Sequence, residues 1–79
     1  MARIIRLRGV MHETGDSRST IYSRIAQGLF PKPVHLGPRS RGWTDSEVAT
    51  INAARIAGKT NDEIRVLVHR LHSARKGAL

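Results

Sequence analysis

Pro31, Pro33 and Pro38 fall close together in the stretch LFPKPVHLGPRSRGW, residues 29–43. A proline fixes its own φ and offers no backbone N–H, so no helix runs through this stretch. The chain is thereby split into two helix-compatible parts with a short extended segment between them. Inside that segment Gly37-Pro38-Arg39-Ser40 is a turn signal, flanked by Val34-His35-Leu36 and Arg41-Gly42-Trp43. The pattern predicts a two-stranded hairpin with a basic tip.

The part before the prolines has its own punctuation. Residues 3–7, RIIRL, form a short lead-in with strand character. A first helix is expected from Arg8 to Thr14, with Val10 and Met11 inward and Gly15 as its terminator. Ser17 is an N-cap candidate for a second helix from Arg18 to Gln27, closed by Gly28. At about 100° per residue, Ile21, Tyr22, Ile25, Ala26 and the following Leu29 share one side. Ser19, Thr20, Ser23, Arg24 and Gln27 share the other.

After the hairpin come two capping boxes. Thr44-Asp45-Ser46-Glu47 has Thr at the N-cap and Glu at N3, and Thr60-Asn61-Asp62-Glu63 repeats the arrangement. The first opens a third helix to Ala57, ended by Gly58, with Val48, Ile51, Ala54 and the stem of Arg55 inward. The second opens a fourth helix to Arg75, with Ile64, Leu67, Val68 and Leu71 on one stripe. Residues 76–79 are expected to fray. The expected fold class is mostly α with a small β-hairpin wing: a winged helix-turn-helix with an extra C-terminal helix. Residues 1–57 are expected to form this winged part and residues 58–79 a helical extension of the same domain. The stripe on the fourth helix needs a cover, which is either its own domain or a second copy.

Charge indicates the partner. Fourteen Lys and Arg stand against six Asp and Glu, for a net charge of +8 in 79 residues. Residues 1–43 carry +6 of this and residues 44–79 carry +2. A basic excess gathered in one part of the chain points to a polyanion. Most of these bases are arginine, whose planar fork suits phosphate and guanine. A chain of this length has little room for an enclosed catalytic pocket. It contains no cysteine, which excludes disulfides and thiolate metal ligands and fits a reducing compartment. No apolar run approaches the roughly 18 residues of a membrane span. No apolar h-region follows the basic start, so a cytoplasmic, nucleoid-associated protein with no membrane partner is expected.

The first two helices and the tight turn Thr14-Gly15-Asp16-Ser17 make the expected helix-turn-helix. In such units the second helix enters the major groove and its N-terminal residues reach base edges. Ser17, Arg18, Ser19, Thr20, Ser23, Arg24 and Gln27 are the candidate contacts on that helix, with Arg18 or Arg24 able to bond guanine O6 and N7. Lys32, His35, Arg39, Ser40 and Arg41 are the candidates in and beside the hairpin, suited to backbone or minor-groove contact.

These residues carry a resemblance. Arg6-Leu7, Val10, Thr14-Gly15, Ser17-Arg18-Ser19-Thr20-Ile21-Tyr22, Gly28, Phe30-Pro31-Lys32-Pro33-Val34, Leu36-Gly37, Arg39, Gly42-Trp43 and Glu47-Val48 closely resemble AlpA-type prophage regulators over residues 4–57. The resemblance implies a winged helix-turn-helix of the MerR and excisionase kind. It also implies regulation of prophage or integrative-element genes, or help with excision. It places the start of the recognition helix on Ser17 to Tyr22 and the wing on Leu36 to Arg41. The segment from Gly58 to Leu79 lies beyond the short members of the family.

Other chemistries have thinner support. Tyr22 and Trp43 are expected in the core, and a single Phe, Tyr and Trp supply no stacking platform for single strands. His69 and His72 are spaced i, i+3, but no third metal ligand accompanies them and both are expected in solvent. No nucleophile–base pair or carboxylate pair stands out, so neither an enzyme nor a cofactor or small-molecule substrate is expected. Two readings of other kinds compete with gene regulation. One is an excisionase-type DNA-bending factor working with a recombinase. The other is a protein-interaction adaptor or dimer acting through the helix at 61–75. A basic RNA-binding protein is a third, weaker reading.

Overall fold

The computed structural model describes residues 3–77 and shows seven elements. They are β1 (Ile4–Ile5), α1 (Leu7–Thr14), α2 (Arg18–Ala26), β2 (Val34–Gly37), β3 (Ser40–Thr44), α3 (Asp45–Ile56) and α4 (Asn61–Gly77). The expected architecture is therefore present, with one addition: the lead-in strand joins the hairpin. The sheet has three antiparallel strands in the order β1-β3-β2. Ile4 and Ile5 stand opposite Thr44 and Trp43, and Val34, His35 and Gly37 stand opposite Gly42, Arg41 and Ser40. The Arg3 N–H donates to Asp45 Oδ1 at 3.0 Å and the Asp45 N–H donates to the Arg3 carbonyl at 2.8 Å, so β1 is also tied to the start of α3.

The helix ends follow the local chemistry. Gly15 terminates α1 at φ 73°, where its N–H bonds the Met11 carbonyl. That left-handed conformation is one a side chain at this position would resist. Gly28 and Gly58 take positive φ after α2 and α3 as well. Both capping boxes form. Glu47 N–H donates to Thr44 Oγ1 while Thr44 N–H donates to Glu47 Oε1, and Thr60 and Glu63 make the same reciprocal pair.

The core forms where α1, α2, α3 and α4 meet the inner side of the sheet. Val10, Ile21, Leu29, Phe30, Trp43, Val48 and Ile51 are buried together. Trp43 anchors it, edge-on to Phe30 with ring centroids 5.9 Å apart and its indole N–H donating to the Pro31 carbonyl at 2.7 Å. Here the expected core position of Trp43 holds. Tyr22 differs: it is 38 % exposed, and Ala26 is exposed too. The nine-residue α2 meets the core along the edge defined by Ile21 and Ile25, and Tyr22 and Ala26 lie about 100° further round.

The fourth helix covers its stripe with its own domain. Ile64 and Val68 are buried in the same core as Val48 and Ile51, and Leu67 and Leu71 pack against that core. The helix runs two residues past Arg75, to Gly77; the remainder of the segment expected to fray, residues 78–79, lies outside the described residues.

Candidate nucleic-acid interface

The turn at 14–17 sets the geometry of α1 against α2. Thr14 Oγ1 donates to the Val10 carbonyl and accepts from Asp16 N–H, which holds the chain as it leaves α1. Ser17 then caps α2: its Oγ accepts from Thr20 N–H at 3.2 Å and donates to Thr20 Oγ1 at 2.9 Å. The first turn of α2 consequently presents Ser17, Arg18 and Ser19 to solvent, with Thr20 half-buried. Short hydroxyls on a helix N-terminus allow close approach to a phosphate, and the terminal N–H groups attract it. Arg18 is exposed, with its guanidinium 6.0 Å from the centre of the Tyr22 ring. The exposure of Tyr22 thus gives Arg18 a surface to rest on.

One turn further on, the same face is more engaged. Arg24 is ion-paired with Asp16 of the turn, and both are largely withdrawn from solvent. Arg55 of α3 approaches the pair: burial, then the charge of Arg24, disfavours its own charge, while Asp16 favours it. Among the described residues the Asp16 carboxylate is paired with Arg24 alone, and that pair braces α2 against the turn in this structure. Gln27 donates to the Ser23 carbonyl and Oγ, and its own carbonyl accepts from Arg65 Nε at 2.9 Å. Ser23 and Gln27 remain exposed.

The hairpin collects the other candidates. His35 and Arg41 are direct cross-strand partners, so their side chains leave the same face of the ribbon. Both are exposed, as is Arg39 in the turn, whereas Ser40 is half-buried opposite Gly37. Gly42 lets β1 approach β3: a Cβ there would lie 2.6 Å from Ile4 Cγ2 and 3.0 Å from the Ile5 carbonyl oxygen. Lys32 is exposed between the two prolines that lead from α2 to the hairpin.

Sequence reasoning missed how α4 grips this lead. His72, expected in solvent, is half-buried, and its Nε2 accepts from the Lys32 N–H at 3.0 Å. Arg75 Nη2 donates to the Lys32 carbonyl at 2.7 Å. Arg75 also holds Glu47 in a two-point pair, at 2.6 Å from Nε and 2.9 Å from Nη2. Burial pulls the Glu47 pKa upward, but the bonds from Arg75 and Thr44 outweigh it and leave the pKa below its ordinary value. Burial first, then the charge of Arg75, lowers the His72 pKa, which favours the neutral imidazole that the bond from Lys32 requires. No periodicity or spacing signals bonds that span 28 to 43 residues.

Among the described residues no cluster of three or more His, Asp or Glu could hold a metal ion, and no helix is long and apolar enough to cross a membrane. Two short helices joined by a tight turn, the second exposing its capped first turn, followed by a basic hairpin and a third packing helix, are compatible with a winged helix-like fold. The chain belongs to the family of the prophage CP4-57 regulatory protein (AlpA), whose model matches residues 3–55. It is 49 % identical over 57 residues to an uncharacterized protein, ORF88, of Enterobacteria phage P4, covering 72 % of this chain and 65 % of that protein. The chain therefore spans slightly less than two thirds of this relative's length. It is 38 % identical over 52 residues to the DNA-binding transcriptional activator AlpA of Escherichia coli K12, covering 58 % of this chain and 74 % of that protein. No solved structure matches the chain.

Proposed function

We propose that the protein binds double-stranded DNA in a sequence-specific manner and regulates prophage or integrative-element genes. In this reading α2 lies in the major groove and the β2–β3 hairpin is a wing on the phosphate backbone or in the minor groove. The observation that carries it is the exposed, capped first turn of α2, Ser17-Arg18-Ser19, followed in the chain by a hairpin with exposed His35, Arg39 and Arg41. In this reading Arg18 is the arginine assigned to a guanine, supported by its exposure and by the pairing of Arg24 with Asp16. Family membership and the relative described as a DNA-binding transcriptional activator support the same reading. Nothing in the family description calls for catalysis, and the proposal includes none.

The test is fluorescence anisotropy on duplex DNA over a range of salt. The slope of log K against log salt is about −0.9 for each phosphate neutralised. Arg39→Glu with Arg41→Glu is expected to weaken binding and flatten the slope by about 2. Retention of the full slope in the folded double variant removes the wing from the interface, and absence of duplex binding by the unmutated chain removes the function itself.

A further inference from the structure

Between the last turns of α2, the wing and the C-terminal half of α4 lies a groove of about 460 Å³. Its ionisable lining residues are Lys32, His35, Arg41, His72 and Arg75, with Ile25 and Pro33 as the apolar remainder. Among the described residues, every ionisable group that lines it is basic. We propose that this groove seats a phosphate of the DNA backbone, with α4, a helix outside the family match, positioning the residues that meet it. The inference rests on the DNA-binding function proposed above.

Three observations converge on it. The two backbone polar groups of Lys32 are both held by α4, the N–H by His72 and the carbonyl by Arg75. The side chain of Lys32 is thus set on a fixed root, and among the described residues it has no acidic partner. Arg41 joins it from the wing, on the same ribbon face as His35 and likewise without an acidic partner among the described residues. The charge of Arg75 is taken up by Glu47, but those of Lys32 and Arg41 are not. Cations gathered without a carboxylate repel one another, and the arrangement is relieved when an anion enters. His72 sits within reach of these charges: burial, then Arg75 and more weakly Lys32, lower its pKa, while Glu47 opposes them.

The roles divide accordingly. Lys32 and Arg41 supply the charges that meet the phosphate. His72 and Arg75 are positioning residues: they fix Lys32, and through Pro33 the root of the wing, against the end of α2. A purely structural grip would stabilise the fold without entering the salt dependence of DNA binding.

The experiment is the salt dependence of duplex binding by the full chain and its Lys32→Ala, Arg41→Ala, double, His72→Ala and His72→Gln variants, with circular dichroism confirming the fold of each. Lys32→Ala and Arg41→Ala are each expected to flatten the log–log slope by about 0.9, and the double variant by about 1.8. His72→Ala is expected to weaken DNA binding and His72→Gln to retain it, because the amide oxygen can accept the Lys32 N–H. Inorganic phosphate titrated into the free protein, followed at the Lys32 and Arg41 amides by NMR, separates a pocket for the free anion from a backbone contact. Saturation with phosphate, together with an unchanged DNA slope in the double variant, overturns the assignment to DNA. A folded double variant with an unchanged slope overturns the inference while leaving DNA binding by the unmutated chain intact. Wild-type affinity in His72→Ala removes α4 from that positioning role.

Discussion

Ending the chain after Ala57 removes α4 and asks how much of the fold depends on it. Ile64 and Val68 are 1 % and 4 % exposed. Each contributes roughly 1.5–3 kcal/mol on full burial, and the half-buried Leu67 and Leu71 add roughly half as much apiece. Those figures are upper estimates, because an unfolded chain already hides part of its apolar surface. The cut also removes Arg75 from Glu47, but it opens that carboxylate to water as it does so and the Thr44 bonds remain, so the lost pair adds only about 1 kcal/mol. The combined loss is on the order of 5–9 kcal/mol, against a typical total stability of roughly 5–15 kcal/mol. The 1–57 fragment is therefore expected to be largely unfolded at 25 °C. Circular dichroism melts of both lengths, with sedimentation to read mass, check this. A fragment that melts cooperatively within a few degrees of the full chain would refute the view that α4 completes this core. A folded fragment that changes from dimer to monomer would show that α4 instead covers a second copy.

Four further outcomes follow from particular contacts. Arg75→Met is expected to cost about 1–3 kcal/mol, which lowers the melting temperature by roughly 4–8 °C per kcal/mol in a domain of this size; an unchanged melt would deny the Glu47 pair any net worth. Gly42→Ala drives a methyl into Ile4 and the Ile5 carbonyl, so β1 must move off β3 at a cost of about 1–3 kcal/mol, seen as loss of the Ile5–Trp43 pairing in amide exchange. Arg24→Ala should lower thermal stability and weaken selected and random duplexes alike. A loss of roughly 1–3 kcal/mol confined to the selected duplex would show that Arg24 leaves Asp16 to contact a base. For His72 the folded pKa lies below its ordinary value of about 6.5. The unfolded chain then binds more protons in that window, and stability rises with pH there. The His72 contribution is full above about pH 7 and is lost as the pH falls through about 6.5 toward the lower folded value. Urea unfolding from pH 5 to 7.5 should show His72→Gln with a flatter profile than the parent, and parallel profiles would refute the assignment.

How much of this was legible in the sequence depends on the range of each interaction. Features set by neighbours within four residues were readable: the three terminating glycines, the Ser17 cap, both capping boxes and the hairpin turn. The inward stripe of α4 was readable as a stripe, but periodicity does not say what covers it, so the choice between its own domain and a second copy needed the fold. Tyr22 sits beside Ile21 on a helical wheel, which predicts a core position, but a helix that touches the core along one edge leaves that neighbour in solvent. The polar face of α2 was found, yet its arginines divide, with Arg18 free at the first turn and Arg24 bound to Asp16. The His72 and Arg75 grip on Lys32 joins residues far apart in the chain, and local pattern carries no trace of it. The β2–β3 hairpin was legible, while the third strand of its sheet rested on whether Ile4 and Ile5 could reach Trp43. That approach depends on Gly42, a packing fact rather than a propensity.

Whether the chain reads duplex DNA by sequence is decided by selecting bound sites from a random duplex pool. The Kd for the best site is then measured against a scrambled duplex of equal length, at one fixed salt concentration near 0.15 M. Enrichment of one motif, and a preference of typically 10³-fold or more for it, are expected. A pool that returns no motif, with equal affinity for both duplexes, would contradict sequence-specific binding and leave only a basic surface attracted to phosphate.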